Sequence, residues 1–280
     1  MTSLVLLAVL AADARFVVAS TANVRRSPDA KAEVVARLSI GVELTVLETQ
    51  GDWAHVKQGA HEGWVLAELL DAEKPTLEAF NARFDATPKS DSKARRKWAE
   101  RAAALAPSDV PTLQRLVQVL DETQDLVALE HARTGLARAR AKVGQISVAA
   151  THVSLLYEKG DASECLYEDP KVGASLWNTI IGEGSAGGSS KSISLIVEVF
   201  GPAGSKPPAG RAVEIQVREA SGRSLLKKKV KLVPFDRQGE SAFDYVVSGT
   251  GCEPLVITAG IAGQPERFEL ESRVGFSCGE

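Results

Sequence analysis

Ala22-Asn23-Val24-Arg25-Arg26-Ser27-Pro28, Val34-Val35-Ala36-Arg37-Leu38, Gly41-Val42-Glu43-Leu44-Thr45-Val46-Leu47, Gly51-Asp52-Trp53-Ala54-His55-Val56-Lys57 and Gly63-Trp64-Val65 follow one another between residues 16 and 70. Each run is short and carries the β-branched or aliphatic residues that strands favour: Val24, Val34, Leu38, Leu44, Val46, Val56 and Val65. Ser27-Pro28-Asp29 and Gly51-Asp52 supply turn chemistry between them. Five strand-like runs in so short a stretch predict a small barrel or sandwich. A domain of about 60 residues buries only about 60% of its unfolded surface. Large indoles help such a domain, each burying roughly 150–250 Å². Trp53 and Trp64 each stand just after a glycine turn.

This stretch resembles a bacterial SH3 (SH3b) domain, placed at residues 15–72. The resemblance implies a binding module that does no chemistry and works outside the cytoplasm. It implies a ligand groove near Trp53, with Arg25 and Asp52 framing it by charge. Trp53 can line that groove or fill the barrel, and Trp64 in Gly63-Trp64-Val65 reads more as core. SH3b ligand residues differ among subfamilies, so the resemblance carries no residue-by-residue ligand map.

The chain has 280 residues and a net charge of −3. Its 44% hydrophobic and 25% charged content is ordinary for a globular protein. That charge gives no bulk attraction to nucleic acid or anionic membrane. Residues 4–12 form an unbroken apolar run, followed by Ala12-Asp13-Ala14. This reads as a short signal-peptide core with a small-x-small cleavage site, residues 1–14, and predicts export to the periplasm or cell envelope. The run is far shorter than the roughly 20 residues of a membrane span. No Lys or Arg precedes it, and the alternative is a first strand or helix of the folded domain. Cys252 and Cys278 lie 26 residues apart. In an exported chain they read as a disulfide that ties down the C-terminal end, the alternative being two unrelated buried thiols. Cys165 is the third cysteine, buried or a free thiol.

Between residues 73 and 144 the apolar period lengthens to that of helices. Leu77, Phe80 and Phe84 mark the first, after Pro75. Ala94, Trp98, Ala102 and Leu105 mark the second, starting at Asp91 or Ser92 and ending at Pro107. Leu113, Leu116, Val117 and Leu120 mark the third, and Leu126, Leu129, Ala132 and Leu136 the fourth, stopped by Gly144. These two hairpins loosely resemble a tetratricopeptide repeat, although the Trp-Leu-Gly-Tyr positions of its first helix are not filled. A helical spacer is the alternative.

Residues 145–280 return to strand patterning. Runs are expected at 146–157, 165–167, 176–181, 193–200, 212–218, 225–233, 242–247, 255–261 and 267–270. Turn signals separate them, which predicts an antiparallel, immunoglobulin-like β-sandwich. The fold class is thus multidomain and mainly β: barrel, helical hairpins, sandwich.

Candidate chemistry is sparse. A cell-wall cysteine hydrolase, often joined to SH3b domains, would need a Cys with a downstream His, and no His follows Cys165. His152 precedes it on a strand, and a nucleophile needs its base within hydrogen-bond reach. His55 and His61 offer at most two ligands, short of a structural zinc set. Gly182–Gly188 lacks the Gly-Lys-Ser/Thr of a phosphate loop. Lys93-Ala94-Arg95-Arg96-Lys97 reads as a solvated helix face, and Lys227-Lys228-Lys229-Val230-Lys231 as the guard of a sheet edge. Either run could also touch an anionic partner such as a wall polymer. The expectation is a non-enzymatic protein without cofactor or metal that binds peptidoglycan or a peptide, through Trp53, Trp64, Arg25 and Asp52. The alternative is an adaptor whose helices and sandwich hold a protein partner, and a hidden hydrolase is disfavoured.

Overall fold

The computed structural model describes residues 13–158, 165–167, 175–177 and 190–278. It divides into two compact units, residues 1–107 and 108–280. The helical segment is therefore shared, two helices falling in each unit.

The first unit opens with strands β1 (Asp13–Val17), β2 (Thr21–Arg25), β3 (Val34–Ser39), β4 (Glu43–Gln50), β5 (Trp53–Gln58), β6 (His61–Leu66) and β7 (Leu70–Asp71). They form one sheet in the order β3-β2-β6-β5-β4-β1-β7. Val17, Ala22, Val24, Leu38, Leu44, Ala54, Val56 and Val65 fill its core. These residues alternate with outward-facing ones, as a curled sheet with one buried face requires. The expected signal-like segment lies outside the described residues up to Ala12. Asp13 and Ala14 pair with Val46 and Thr45 in β1, so the sheet begins two residues earlier than the sequence pattern suggests.

Helices α1 (Leu77–Ala86) and α2 (Ser92–Leu105) complete the first unit. Thr76 caps α1 by accepting from the Ala79 amide, and Asp91 caps α2 by accepting from Ala94. The buried stripe of α2 differs from the expected one. It runs through Arg95, Ala99, Ala102 and Ala103 rather than through Ala94, Trp98 and Leu105. Small alanines let the helices approach, and the Arg95 guanidinium lies 4.6 Å over the Phe84 ring. The basic run is thus only partly a solvated face.

The second unit starts with α3 (Val110–Thr123) and α4 (Leu126–Lys142), capped by Asp109 and Asp125. Gln124 between them takes a left-handed conformation, φ 54°, which lets the chain reverse tightly. Then come β8 (Ser147–Glu158), β9 (Cys165–Tyr167), β10 (Ser175–Trp177), β11 (Ser192–Phe200), β12 (Ala212–Glu219), β13 (Ser224–Lys231), β14 (Glu240–Ser248), β15 (Leu255–Ala262) and β16 (Leu270–Ser277). A five-stranded sheet, β10-β16-β15-β12-β13, faces a four-stranded one, β14-β11-β8-β9. One apolar core spans both, with Leu155, Ile193, Leu195 and Val197 from one sheet and Ile215, Val217, Ile257 and Ile261 from the other. Burying each such side chain stabilises by about 1.5–3 kcal/mol.

Two details depart from the sequence pattern. The last strand runs Leu270–Ser277 rather than ending at Leu270, because Leu270 and Val274 turn inward between the exposed Glu271 and Arg273. β10 joins β16 in parallel, where an antiparallel sandwich is expected. Of the expected 176–181 strand, residues 178–181 lie outside the described ones. β13, with its lysines, is an edge strand.

α4 rests on β8, and His152 of β8 sits at that seam. Glu198 on β11 approaches its Nε2 at 3.2 Å, and Glu130 on α4 approaches its Nδ1 at 3.7 Å. Glu198 is the main cause raising the imidazole pKa; burial opposes it and Glu130 adds to it. Glu198 is in turn held below the usual carboxylate range by His152. A raised folded pKa contributes stability that is complete below the unfolded value of about 6.5 and is lost as pH rises through the folded pKa. Wild type should therefore lose thermal stability relative to His152→Gln as pH climbs above about 6.5. Parallel melting curves of the two proteins would refute this assignment.

Candidate functional site

The outer face of the β2-β6-β5-β4 sheet carries the residues singled out in the sequence. Inward positions Ala54, Val56, Gly63 and Val65 are buried, so Trp53, His55, Trp64 and Leu66 point the other way. Register aligns them in two rows. Gln50, Trp53 and Leu66 stand side by side across β4, β5 and β6. Glu48, His55, Trp64 and Arg25 stand side by side across β4, β5, β6 and β2. Trp53 and Trp64 are thereby diagonal neighbours on adjacent strands. Neither belongs to the barrel core. The expectation that Trp64 is core gives way, because Gly63 and Val65 take the inward positions on either side of it.

A register shift in β4 between Val46 and Glu48 brings Glu48 opposite His55. Such a bulge re-aims the following side chain. The imidazole stacks on Trp64 at 4.8 Å between ring centroids, with an interplanar angle of 19°. Glu48 lies 3.4 Å from its Nδ1, and Glu62 lies 3.6 Å from its Nε2. The face therefore combines two half-buried indoles, an imidazole stacked on one of them, and carboxylates at the rim. Flat apolar rings beside fixed acceptors suit a peptide or a sugar.

Arg25 and Asp52 are not brought together. The Arg25 guanidinium donates to the Ala32 carbonyl at 2.7 Å, which commits it to the β2–β3 loop at one end of the row. Asp52 is exposed in the β4–β5 turn beside Trp53, and its carbonyl accepts from the Ala67 amide at 2.8 Å. His61 pairs with Gln58 at the hairpin end, apart from His55. Reasoning from sequence missed His55 and Glu48 as members of the face. The alternation from Trp53 through His55 to Lys57 carried the signal for His55, but the bulge that aims Glu48 has none.

Cys165 pairs in register with Glu158, six residues along β8 from His152. Six residues of strand span about 20 Å. The histidine instead stands opposite Ile196. No set of three metal-ligating side chains gathers among the described residues. No helix among them is long and apolar enough to cross a membrane. Cys252 and Cys278 form the expected disulfide, with Cα atoms 5.9 Å apart.

The second unit holds a cleft of about 690 Å³ between the α3–α4 hairpin and β16. Leu126, Leu129 and Leu270 give it apolar walls. Arg140 stacks over Phe268 at 4.0 Å, and Arg133 reaches Asp121 at 3.3 Å. Burial pushes both guanidinium groups below their ordinary value. Phe268 itself is left-handed, φ 44°, a conformation costly for a bulky residue and concentrated at functional sites.

Residues 20–71 match the family model described as the bacterial SH3 domain. Over 71 residues the chain is 34% identical to the "Putative N-acetylmuramoyl-L-alanine amidase YrvJ" of Bacillus subtilis (strain 168). That stretch is 25% of this chain and 14% of the relative, so the chain spans only a small part of the relative's length. Among solved structures, the Pseudomonas fluorescens alkylpurine DNA glycosylase AlkC, bound to DNA containing an abasic site analog, is 11% identical. It aligns over 70% of this chain and 51% of its own with a TM-score of 0.22, too low to imply a common fold.

Proposed function

We propose, from the bacterial SH3 domain at residues 20–71, that this chain is an exported, non-enzymatic protein of the bacterial envelope that binds peptidoglycan or a wall peptide. The observation that carries the reading is the outward cluster of Trp53, Trp64 and His55 on adjacent strands of one sheet. A relative whose printed name is that of an amidase is similar over 71 residues, only 14% of its own length, which fits a shared small module better than shared catalysis. The disulfide favours an oxidising compartment. The separation of Cys165 from His152 supports the absence of that nucleophile–base pair.

Purified cell-wall sacculi should retain the wild-type chain. Trp53→Ala and Trp64→Ala should each weaken retention by about tenfold or more, as truncating a central aromatic does. Equal retention of wild type and both variants would exclude this face, and no retention of any would exclude the wall. Hydrolysis of labelled wall fragments that disappears in Cys165→Ala would overturn the non-enzymatic reading.

The cleft beside Arg140 and Phe268 favours a second reading, that of an adaptor holding a protein partner on the second unit. Under that reading Arg140→Ala lowers capture of an envelope partner and leaves wall retention intact.

A further inference from the structure

The α1–α2 hairpin gathers three cations around one indole. The Arg83 and Arg101 guanidinium carbons lie 5.0 and 5.2 Å from the Trp98 ring centroid, and the Lys97 ammonium lies 5.3 Å from it. Neighbouring Arg96 has its acid, Glu100, at 2.7 Å. Arg83, Lys97 and Arg101 form no ion pair among the described residues. Arg101 is only 7% exposed. Burial is the main cause pushing its guanidinium pKa down, Arg83 adds to it, and Glu68 is the one opposing attraction. Lys93 stands one turn before Lys97 and is exposed. Lys93, Lys97 and Arg101 thus recur at four-residue spacing, a like-charge pattern that opposes helix formation. The ring offsets part of the repulsion through cation–π attraction but supplies no negative charge.

We infer that this hairpin is an anion site for a phosphate-bearing polymer, separate from the SH3 face of the same unit. Arg83 comes from α1, and Lys97 and Arg101 from α2, so two helices bring three cations around one ring. A tetrahedral phosphate offers acceptors in several directions, whereas a carboxylate offers two oxygens in one plane. The half-buried Trp98 ring, stacked on Phe80 at 6.3 Å between centroids, fixes where the three cations stand. Lys93 extends the row by about 6 Å along the helix, toward a second charge on the same strand.

Fluorescently labelled polyphosphate, titrated with the full chain and read by anisotropy, tests this. Binding should saturate and weaken by about tenfold or more between about 50 and 200 mM salt, as counterion release demands. Arg83→Gln/Lys97→Gln, at two exposed positions, should weaken binding by about tenfold at low salt. Lys227→Gln/Lys228→Gln removes the same charge from the exposed edge strand β13 and should change little. Trp53→Ala should bind polyphosphate as wild type does, even where it loses the wall. Absence of saturable polyphosphate binding would overturn the site. So would equal losses from the two double variants, or polygalacturonate binding as tightly as polyphosphate. None of these outcomes depends on retention by sacculi, so failure here and failure of the wall-binding reading are told apart.

Discussion

Gly63→Ala should unfold the barrel under conditions where the wild type remains folded, with a loss of about 3 kcal/mol or more. Gly63 lies where β6 crosses β2, and a Cβ there would stand 2.5 Å from the Arg25 carbonyl oxygen and 2.9 Å from Val24 Cγ1. The oxygen is backbone and cannot swing away. Val24 is a fully buried core residue, so it cannot move without disturbing the packing. The only recorded pairing of β2 with β6 is Arg25 with Trp64, one residue from the clash. A small barrel has little stability in reserve. Gly59→Ala is the informative comparison. Its φ of 57° penalises a side chain, yet nothing lies within 4 Å of the added carbon. It should lose about 1–2 kcal/mol, the cost of a left-handed non-glycine residue. Hydrogen exchange of β2 and β6 amides reads both variants at the barrel itself. Similar protection in Gly63→Ala and Gly59→Ala would show that the crossing relaxes around the methyl group. The face proposed to bind the wall would be lost with the first variant, because Trp64 and Arg25 meet at this crossing.

Removing the disulfide should cost the second unit about 3–4 kcal/mol in the chain-entropy account of a 26-residue loop. Cys252 sits in the connection entering β15, and Cys278 follows β16 directly. The bridge therefore closes the end of the β15–β16 pair near Leu255 and Val274. Among the described residues β16 has β15 along one side and the short β10 on the other. Without the bridge its end frays, exposing Val274 and Phe276 of the sandwich edge. Cys252→Ser/Cys278→Ser should shift the urea midpoint down, and reductant should bring the wild type to the same value. A wild-type midpoint insensitive to reductant would mean that β16 is held by packing alone. The barrel's own transition should not move in either case.

Much of this protein's fold is legible in its sequence. Turn chemistry and β-branched runs marked the barrel, because strand geometry and its period of two are local properties of a chain. Helices α1 to α4 fall between the prolines and glycine that bound them, and each begins after an Asp or Thr cap. The Cys252–Cys278 pairing was expected only on the premise of export, and the structure forms it. The β16 strand was not, since Glu271 and Arg273 mask an alternation completed only by packing on β15. The buried face of α2 was misread for a related reason. Arg95 looks like a surface residue until Phe84 of α1 offers a ring to cover its stem.

The candidate face divides the same way. The amino-acid order alone determined that Trp53, His55, Lys57 and Trp64 belong to strands of the first unit's sheet. That Trp64 faces outward alongside Trp53 depended on Gly63 and Val65 turning inward. The partnership of His55 with Trp64, Glu48 and Glu62 depended on cross-strand register and on one bulge. The clustering of Arg83 with Lys97 and Arg101 likewise needed two helices to pack. Local backbone preference is written in neighbouring residues, whereas register, bulges and helix pairing are settled by contacts between segments far apart in the chain, and only the folded molecule brings those together.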